Sequence, residues 1–170
     1  MIYLGIGSNL QSLFGDRFKN INLSIEYLES YGIKLQKKSS FYETLSYPNK
    51  TDPKFINIMI EVSTYLPLTD LASVLIFIEE KLERRRNKKN DPRTCDIDII
   101  DYNNKIIEFK YKNLNFIVPH KELIYRNFVL YPLREIAPEW KHPKTKESIN
   151  SLINKLPKDD KNSILKINKS

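Results

Sequence analysis

The order in which strand-like and helix-like stretches follow one another is the feature that most constrains this fold. Ile2–Ile6 is a short apolar run that stops at a Gly-Ser-Asn turn, and apolar residues at helical spacing follow it up to Gly32. A mixed stretch, Lys34–Thr44, and an apolar stretch, Phe55–Val62, predict two more strands on either side of a loop over Ser46–Lys54. The first half of the chain therefore predicts one strand, one helix and two further strands.

The second half continues with another helix and another strand. Thr69 is predicted to be the N-cap of the second helix, and a stripe of apolar residues at helical spacing follows it. A basic loop, Arg84–Asp91, leads into a strand over Thr94–Tyr102, and a further helical stretch is predicted near Phe128–Ile136. The succession strand-helix-strand-strand-helix-strand predicts an α+β ferredoxin-like sandwich, a mainly antiparallel sheet with helices packed on it.

Length and charge limit the number of domains and the choice of partners. A chain of 170 residues suits one domain, which we place at residues 1–147, followed by a lysine-rich extension, residues 148–170, that is expected to be loosely held. Residues 141–170 hold eight lysines against three acids and so contribute +5 of the net charge of +7. No run of six like charges occurs there, so we predict a lysine-rich compositional bias rather than a nucleic-acid partner.

Cysteine usage and the absence of long apolar runs indicate the compartment. Cys95 is the only cysteine, which excludes an internal disulfide and fits a reducing cytosol. Because the chain has only two histidines in addition, a Cys/His zinc site is implausible. The first residues carry no basic region before their apolar stretch, and no apolar run is long enough to span a bilayer. We therefore expect a cytoplasmic protein that makes no membrane contact, and we expect it to be a monomer.

Asp96 and Asp98 are the sharpest candidates for chemistry. Alternate residues of a strand share a face, so both carboxylates point one way while Cys95, Ile97 and Ile99 point to the core. Two residues along a strand span about 6.5 Å, a spacing at which two carboxylates can hold a pair of magnesium ions roughly 4 Å apart. An acidic outer strand face without function remains the alternative.

A cluster of basic residues just before this pair strengthens the functional interpretation. Its arginines and lysines, which lie between Arg84 and Arg93, can bind phosphate oxygens, and guanidinium groups do so bidentately. A glycine-rich phosphate loop is absent, so side chains and metal would have to hold any polyphosphate. His120 could meet a phosphate or hydrogen-bond the backbone, and Glu79 could be partly buried near the acidic strand or an ordinary surface acid.

Short segments in the order found here resemble the pterin pyrophosphokinase family from about residue 2 to residue 142. The segments are Gly7-Ser8-Asn9-Leu10, Ser40-Phe41-Tyr42-Glu43-Thr44, Phe55-Ile56-Asn57, Ile78-Glu79, Pro92-Arg93-Thr94-Cys95-Asp96-Ile97-Asp98-Ile99, Val118-Pro119-His120, Arg126 to Leu133, and Glu135 to Pro138. The Pro-Arg-Thr-x-Asp-x-Asp-Ile string is the most specific of them. The sequence departs from the family pattern at Glu83 and Asp91, where glycine is usual, and at Asn90, where some members have tryptophan.

The resemblance implies a ferredoxin-like fold, ATP as co-substrate, two magnesium ions, and transfer of diphosphate to the hydroxymethyl group of 6-hydroxymethyl-7,8-dihydropterin with release of AMP. It implies that Asp96 and Asp98 bind the metal ions. It implies a phosphate-binding set of Arg84, Arg86, Arg93, His120 and Arg126, in which Arg84 and Arg93 are the expected catalytic residues. It implies a pterin-binding set of Thr44, Phe55, Asn57 and Phe128.

Two other classes of protein share parts of this pattern. A ferredoxin-like RNA-binding module would need aromatic side chains on its central strands in an RNP1-like run, which the sequence lacks. A different two-metal enzyme, such as a nuclease or nucleotidyl transferase, would share the acidic pair but would have no need for the surroundings of Asn57 and Phe128.

Overall fold

The computed structural model describes residues 1–168, which form a sheet with helices on both of its faces. The strands are β1 (Ile2–Ser8), β2 (Lys34–Lys38), β3 (Phe41–Thr44), β4 (Phe55–Ser63), β5 (Asp96–Tyr102), β6 (Ile107–Tyr111), β7 (Leu114–Val118) and β8 (Leu165–Ile167). The helices are α1 (Arg17–Ser30), α2 (Leu68–Lys81), α3 (Asn127–Ile136), α4 (Ile149–Asn154) and α5 (Lys158–Asn162). None of the helices in these residues has the length and apolar character needed to cross a bilayer.

The main sheet has the strand order β5-β1-β4-β3-β8, with β2 also paired to β4, and its pairings are antiparallel. The first and fourth strands are central, as the predicted strand-helix-strand-strand-helix-strand succession requires. The prediction of an α+β ferredoxin-like sandwich with a mainly antiparallel sheet is confirmed. The strands β6 and β7 form a separate two-stranded hairpin.

Two element boundaries differ from the predictions. The strand expected over residues 34–44 is divided into β2 and β3, because Ser39 interrupts the pairing and its hydroxyl accepts the Met59 N–H at 2.9 Å. The predicted N-cap at Thr69 is wrong by two residues. Pro67 occupies the N-cap, and its carbonyl accepts the first helical hydrogen bond, from the Leu71 N–H at 2.9 Å. Pro67 thus ends the extended segment before Thr69 is reached.

Each face of the sheet builds its own apolar core, because side chains alternate along every strand. On one face Leu4, Ile58 and Ile97 pack against the apolar sides of α1 and α2. On the other face Tyr3 and Met59 pack with α3 and α4. A bulge in the β1–β5 pairing shifts the alternation of β5, so that its last residues change faces.

The segment from Ile149 to Leu156 is packed against the second core, whereas α5 buries no side chain. The side chains of Ile149, Leu152 and Ile153 on α4 are buried there, and β8 pairs with β3 at the edge of the sheet. This burial replaces the expected loose packing, because the apolar side chains of the segment find a partner surface on α3. The boundary at residue 147 stays a prediction, and residues 169–170 lie outside the described residues.

The burial of α4 predicts that Leu152→Ala lowers the free energy of unfolding by about 2–5 kcal/mol, because it leaves a cavity in a packed core. Denaturant unfolding followed by circular dichroism measures the change. The matched control is Asn154→Ala, an exposed position of the same helix, for which we expect a change of about 0.5 kcal/mol or less. Equal effects of the two substitutions would contradict the packing described here.

Candidate active site

The candidate site lies on the α3 face of the sheet, where two glycines of β1 leave the surface open. Gly7 stands between Asp96 of β5 and Asn57 of β4, and Gly5 stands between Asp98 and Met59. A Cβ atom on Gly7 would lie 2.8 Å from Asn57 Oδ1, so only glycine allows this side chain to lie across the strand. The glycines therefore form the floor of a cleft with carboxylates on one side and an amide on the other.

The carboxylate of Asp96 is held by two arginines. Arg84 Nη1 donates to Asp96 Oδ1 at 3.0 Å, and Arg93 Nε donates to Asp96 Oδ2 at 3.0 Å. Burial by itself would raise the pKa of Asp96, but the charges of Arg93 and Arg84 outweigh it and lower that pKa to about 2. Asp96 is therefore ionised throughout the physiological range.

Asp98 has looser partners than Asp96. Its Oδ2 lies 3.4 Å from Arg126 Nη1 and 3.8 Å from His120 Nε2. Burial and the negative charge of Asp96 raise the pKa of Asp98 above its ordinary value, against the opposing charges of His120 and Arg126. His120 Nδ1 accepts the Glu122 N–H at 3.2 Å, which leaves Nε2 as the nitrogen that faces the carboxylate. His120 thus both bonds the backbone and faces the site.

Glu79 is a buried member of the site, which settles the choice that its position in the sequence left open. Its side chain is 3% exposed, and its carboxylate accepts from Arg84 Nη1 at 2.7 Å, from the Ile97 N–H at 2.8 Å and from Arg86 Nη2. Burial raises the pKa of Glu79 to about 7, against the opposing charges of Arg84 and Arg86. The signal in the sequence was its place beside the apolar stripe of α2.

Two arginines contact both the acidic pair and the aromatic side chains of the cleft. Arg93, which contacts Asp96, lies over the Phe55 ring at 4.9 Å from its centroid. Arg126, which faces Asp98, lies over the Phe128 ring at 5.4 Å. Each arginine is therefore shared between a carboxylate and an aromatic face, an arrangement that fixes the plane of its guanidinium group.

Thr44 and Asn57 complete the set expected from the resemblance. Asn57 Nδ2 donates to Thr44 Oγ1 at 3.0 Å, and both residues are buried on neighbouring strands. The direct register pairing of Thr44 with Phe55 places the aromatic ring at the same end of the sheet. The structure thus brings Thr44, Phe55 and Asn57 together, with Phe128 at the start of α3.

Asn9 is a site residue to which the sequence patterns assign no role beyond a turn and the segment Gly7-Ser8-Asn9-Leu10. Its Oδ1 accepts the Arg93 N–H at 2.7 Å, and its Nδ2 donates to Ser46 Oγ at 3.1 Å and to the Pro53 carbonyl at 3.0 Å. Asn9 is 3% exposed and so ties the loop over residues 45–54 to the segment that carries Arg93. Only the folded chain reveals this link, because its partners are 37 to 84 residues away.

Glu83 and Asp91, which stand where the family usually has glycine, have structural roles. Glu83 adopts a φ of 68°, the left-handed conformation that favours glycine, and its Oε2 accepts the Leu13 N–H at 2.9 Å. Asp91 Oδ2 accepts the Lys88 N–H at 3.0 Å and closes a turn of the basic loop. Both carboxylates therefore bond to backbone, which stabilises the segments around them.

Two adjoining cavities, of about 240 and 370 Å³, lie on the β5 side of the cleft. Both are lined by Arg84, Arg86, Asp96, Asp98 and His120. The smaller cavity extends between α2 and β7, where its lining includes Leu75 and Phe116, and the larger one lies under the basic loop. A ligand with one apolar part and one strongly anionic part suits this pair of cavities.

The acidic pair fits magnesium in its ligand type. Carboxylate oxygens are the hard ligands that Mg²⁺ prefers, and the ion is commonly held by one or two carboxylates together with substrate phosphates. Within residues 1–168 no group of three or more histidine, cysteine, aspartate or glutamate side chains is gathered as a metal site. Asp96 and Asp98 could therefore hold magnesium only with ligands from water or from a bound substrate.

Fold and site together define an α+β sandwich protein whose cleft holds an acidic pair among arginines. Residues 3–138 match the model of the family described as 7,8-dihydro-6-hydroxymethylpterin-pyrophosphokinase (HPPK). The 2-amino-4-hydroxy-6-hydroxymethyldihydropteridine pyrophosphokinase of Aquifex aeolicus is 34% identical over 142 residues, which are 84% of this chain and 83% of that protein. The chain belongs to the 7,8-dihydro-6-hydroxymethylpterin-pyrophosphokinase family.

Other relatives are much longer proteins. The "Folic acid synthesis protein fol1" of Pneumocystis carinii is 36% identical over 164 residues, which are 96% of this chain but only 21% of that protein. A Plasmodium falciparum HPPK-DHPS structure superposes with a TM-score of 0.72 at 17% identity. The superposition covers 98% of this chain and 46% of the Plasmodium chain. At that identity the superposition supports the fold alone.

The position of Asn9 predicts that Asn9→Ala loosens two segments at once. Removing the amide leaves the partly buried Arg93 N–H and the buried Ser46 hydroxyl without this partner, which should lower stability by about 1–3 kcal/mol. Amide hydrogen exchange should become faster both in residues 45–54 and at Arg93. Gln11→Ala, at an exposed position of the same loop, is the control. Faster exchange in one segment only would show that Asn9 does not connect them.

Proposed function

We propose that this protein transfers diphosphate from ATP to the hydroxymethyl group of 6-hydroxymethyl-7,8-dihydropterin in folate biosynthesis, giving AMP and the pterin diphosphate. The observation that carries the proposal is the juxtaposition, in a chain of this family, of the Asp96–Asp98 pair with three arginines that contact it and with a group of amide and aromatic side chains across the cleft. A polyphosphate needs the first environment and a flat heterocycle needs the second.

Two magnesium ions are part of the proposal. Asp96 and Asp98 would hold them, together with oxygens of the ATP phosphates. Bound there, the ions offset the charge on the phosphates and on the transferred group. Arg84 and Arg93 donate to the two oxygens of Asp96, which keeps the carboxylate ionised and oriented toward the cleft.

The nucleotide is proposed to lie across both cavities. The apolar part of the smaller cavity, near Leu75 and Phe116, would take the adenine. The phosphates would extend toward the basic side chains, which are Arg84, Arg86, Arg93, His120 and Arg126. Planar guanidinium groups suit this task, since each can donate two parallel hydrogen bonds to one phosphate.

The pterin is proposed to bind where the β1 glycines leave the sheet open. The rings of Phe55 and Phe128 would offer aromatic faces, and Asn57 and Thr44 would offer donors and acceptors to the edge of the heterocycle. This pocket adjoins the acidic pair through Gly7, so the hydroxymethyl group would point toward the nucleotide.

The reaction that this geometry supports is an in-line displacement at the β-phosphorus of ATP. The hydroxymethyl oxygen forms a bond to that phosphorus, the bond to the oxygen bridging to the α-phosphate breaks with its electron pair leaving on AMP, and the hydroxyl proton is released. Arg84 and Arg93 are the proposed catalytic residues. Both lie against Asp96, where their guanidinium groups can stabilise the negative charge that develops on the phosphate oxygens.

The RNA-binding alternative is disfavoured by the face that the central strands present. A ferredoxin-like RNA-binding module stacks bases on aromatic side chains of those strands. Here β1 presents Gly5 and Gly7, and β4 presents Asn57 and Met59 on the same face. We further propose a cytoplasmic monomer, and light scattering on the purified protein tests the monomeric state.

The reaction proposed here predicts AMP as the nucleotide product. Protein incubated with ATP, Mg²⁺ and the hydroxymethyl-dihydropterin should form AMP and pterin diphosphate in equal amounts, as measured by ion-exchange chromatography. Omission of the pterin, and replacement of Mg²⁺ by a chelator, are the two controls, and both should abolish AMP. Formation of ADP would assign the protein to another class of phosphotransferase.

Loss of a metal-binding carboxylate should remove turnover without removing the fold. We expect Asp98→Ala to lower kcat by at least about 100-fold, because charge developing on the phosphates would then lack an aligned cation. The melting temperature should change little, since the Asp98 side chain is 30% exposed and its contacts with His120 and Arg126 are 3.8 and 3.4 Å long. Asp70→Ala, at an exposed position of α2, is the matched control. Wild-type turnover in the Asp98 variant would refute the assignment of this residue to metal binding.

A further inference from the structure

Glu79 occupies an unusual place for a carboxylate, at the outer edge of the sheet beneath the basic loop. The strand β5 is the last strand on its side of the main sheet, so alternate N–H groups of this strand point away from β1. Glu79 Oε1 accepts one of them, the Ile97 N–H, at 2.8 Å. The residue before Ile97 and the residue after it are the two acids of the cleft, so Glu79 is fixed directly beside them.

Arg84 is tied to Glu79 through its backbone as well as its side chain. The Arg84 N–H donates to the Glu79 carbonyl at 3.0 Å, in a helix-ending motif that the left-handed conformation of Glu83 makes possible. The same arginine donates from Nη1 to Glu79 Oε1 at 2.7 Å and to Asp96 Oδ1 at 3.0 Å. Its guanidinium group therefore bridges a buried carboxylate and one that is proposed to bind metal.

The two carboxylates that share Arg84 differ in what else can reach them. The side chain of Glu79 is 3% exposed and lines only the smaller cavity, whereas that of Asp96 is 21% exposed and lines both cavities. A cation that binds in the cleft can engage Asp96 and so weaken its bond to Arg84. Glu79 borders only the smaller cavity and its side chain is nearly buried, so we expect its bond to Arg84 to persist when Asp96 is engaged.

We propose that Glu79 is a positioning residue for the diphosphate transfer, which keeps the Arg84 guanidinium group beside Asp96 when that carboxylate is engaged by the metal–nucleotide complex. This inference rests on the function proposed above. An arginine held by Asp96 alone would lose its place when that carboxylate is engaged, and reacting groups misplaced by about 1 Å can cost about 100-fold in rate. Glu79 removes that loss because its own position is set by β5.

The test compares Glu79→Gln with Glu80→Gln. Glutamine retains an oxygen that can accept the Ile97 N–H but lacks the charge that holds Arg84, and Glu80 is an exposed neighbour on the same helix. We expect kcat to fall about 100-fold in Glu79→Gln, with the KM for the pterin within about threefold of wild type. Glu80→Gln should retain wild-type values. A change confined to thermal stability would overturn the proposal, because a purely structural role predicts that result.

A double-mutant cycle decides whether Glu79 acts through Arg84. Because Arg86 also donates to Glu79, the cycle is run in an Arg86→Ala background. If Glu79 acts through Arg84, adding Glu79→Gln to the Arg84→Ala/Arg86→Ala protein should cause no further loss of rate. Multiplicative losses in the combined variant would overturn the proposal. Should Glu79→Gln fail to fold, Glu79→Asp takes its place in the same cycle, because it keeps the charge but retracts it by one methylene.

Two measurements that need no turnover separate this inference from the proposed function. Calorimetry with Mg²⁺ and a non-hydrolysable ATP analogue should show weaker binding in Glu79→Gln than in the wild type, and adding Glu79→Gln to the Arg84→Ala/Arg86→Ala protein should cause no further weakening. The Arg84 Nε–H signal in NMR spectra should be sharp in the wild-type protein with this ligand and broadened in Glu79→Gln. If wild-type protein forms no AMP, the proposed function fails. If it forms AMP but Glu79→Gln leaves affinity and signal unchanged, the positioning role fails.

Discussion

The shared hydrogen bonds of Arg84 link the acidic strand to the helix that precedes it. One guanidinium group satisfies both the buried Glu79 and the accessible Asp96, and a second arginine, Arg93, takes the remaining oxygen of Asp96. Unpaired carboxylates this close together would repel one another and would lose much of their solvation. The arginines therefore allow three acids to stand at one edge of the sheet, and the cleft above that edge depends on this balance of charge.

The backbone makes room for the same cleft. Gly7 has no side chain between Asp96 and Asn57, and a Cβ there would lie 2.8 Å from the Asn57 amide oxygen. Asn9, two residues further on, ties the flanking loops to the same strand end. Polar side chains from distant parts of the chain thus meet over a floor that has no side chains of its own. This is how a small sheet can present an anionic pair and an amide–aromatic pocket within one cleft.

The strand alternation and helical periodicity were sufficient to predict the ferredoxin-like sandwich, and the sheet order confirms it. They also placed Asp96 and Asp98 on the face opposite Ile97, because the period of a strand is fixed at two residues. They failed where a single residue overrides the pattern. Ser39 divides one predicted strand because its hydroxyl competes for the Met59 N–H, and Pro67 moves the start of α2. The packing of α4 was missed because its partner surface is on α3.

The sequence by itself determined the class of fold, the acidic pair and the family to which its motifs belong, because these depend on periodicity and on local strings of residues. Only the tertiary structure decided that Glu79 is buried, that Asn9 bonds two loops, and that each of two arginines is shared between a carboxylate and an aromatic ring. These are contacts between residues far apart in the chain, or between backbone and side chain. Their free energies depend on burial and distance, which no local pattern of residues records.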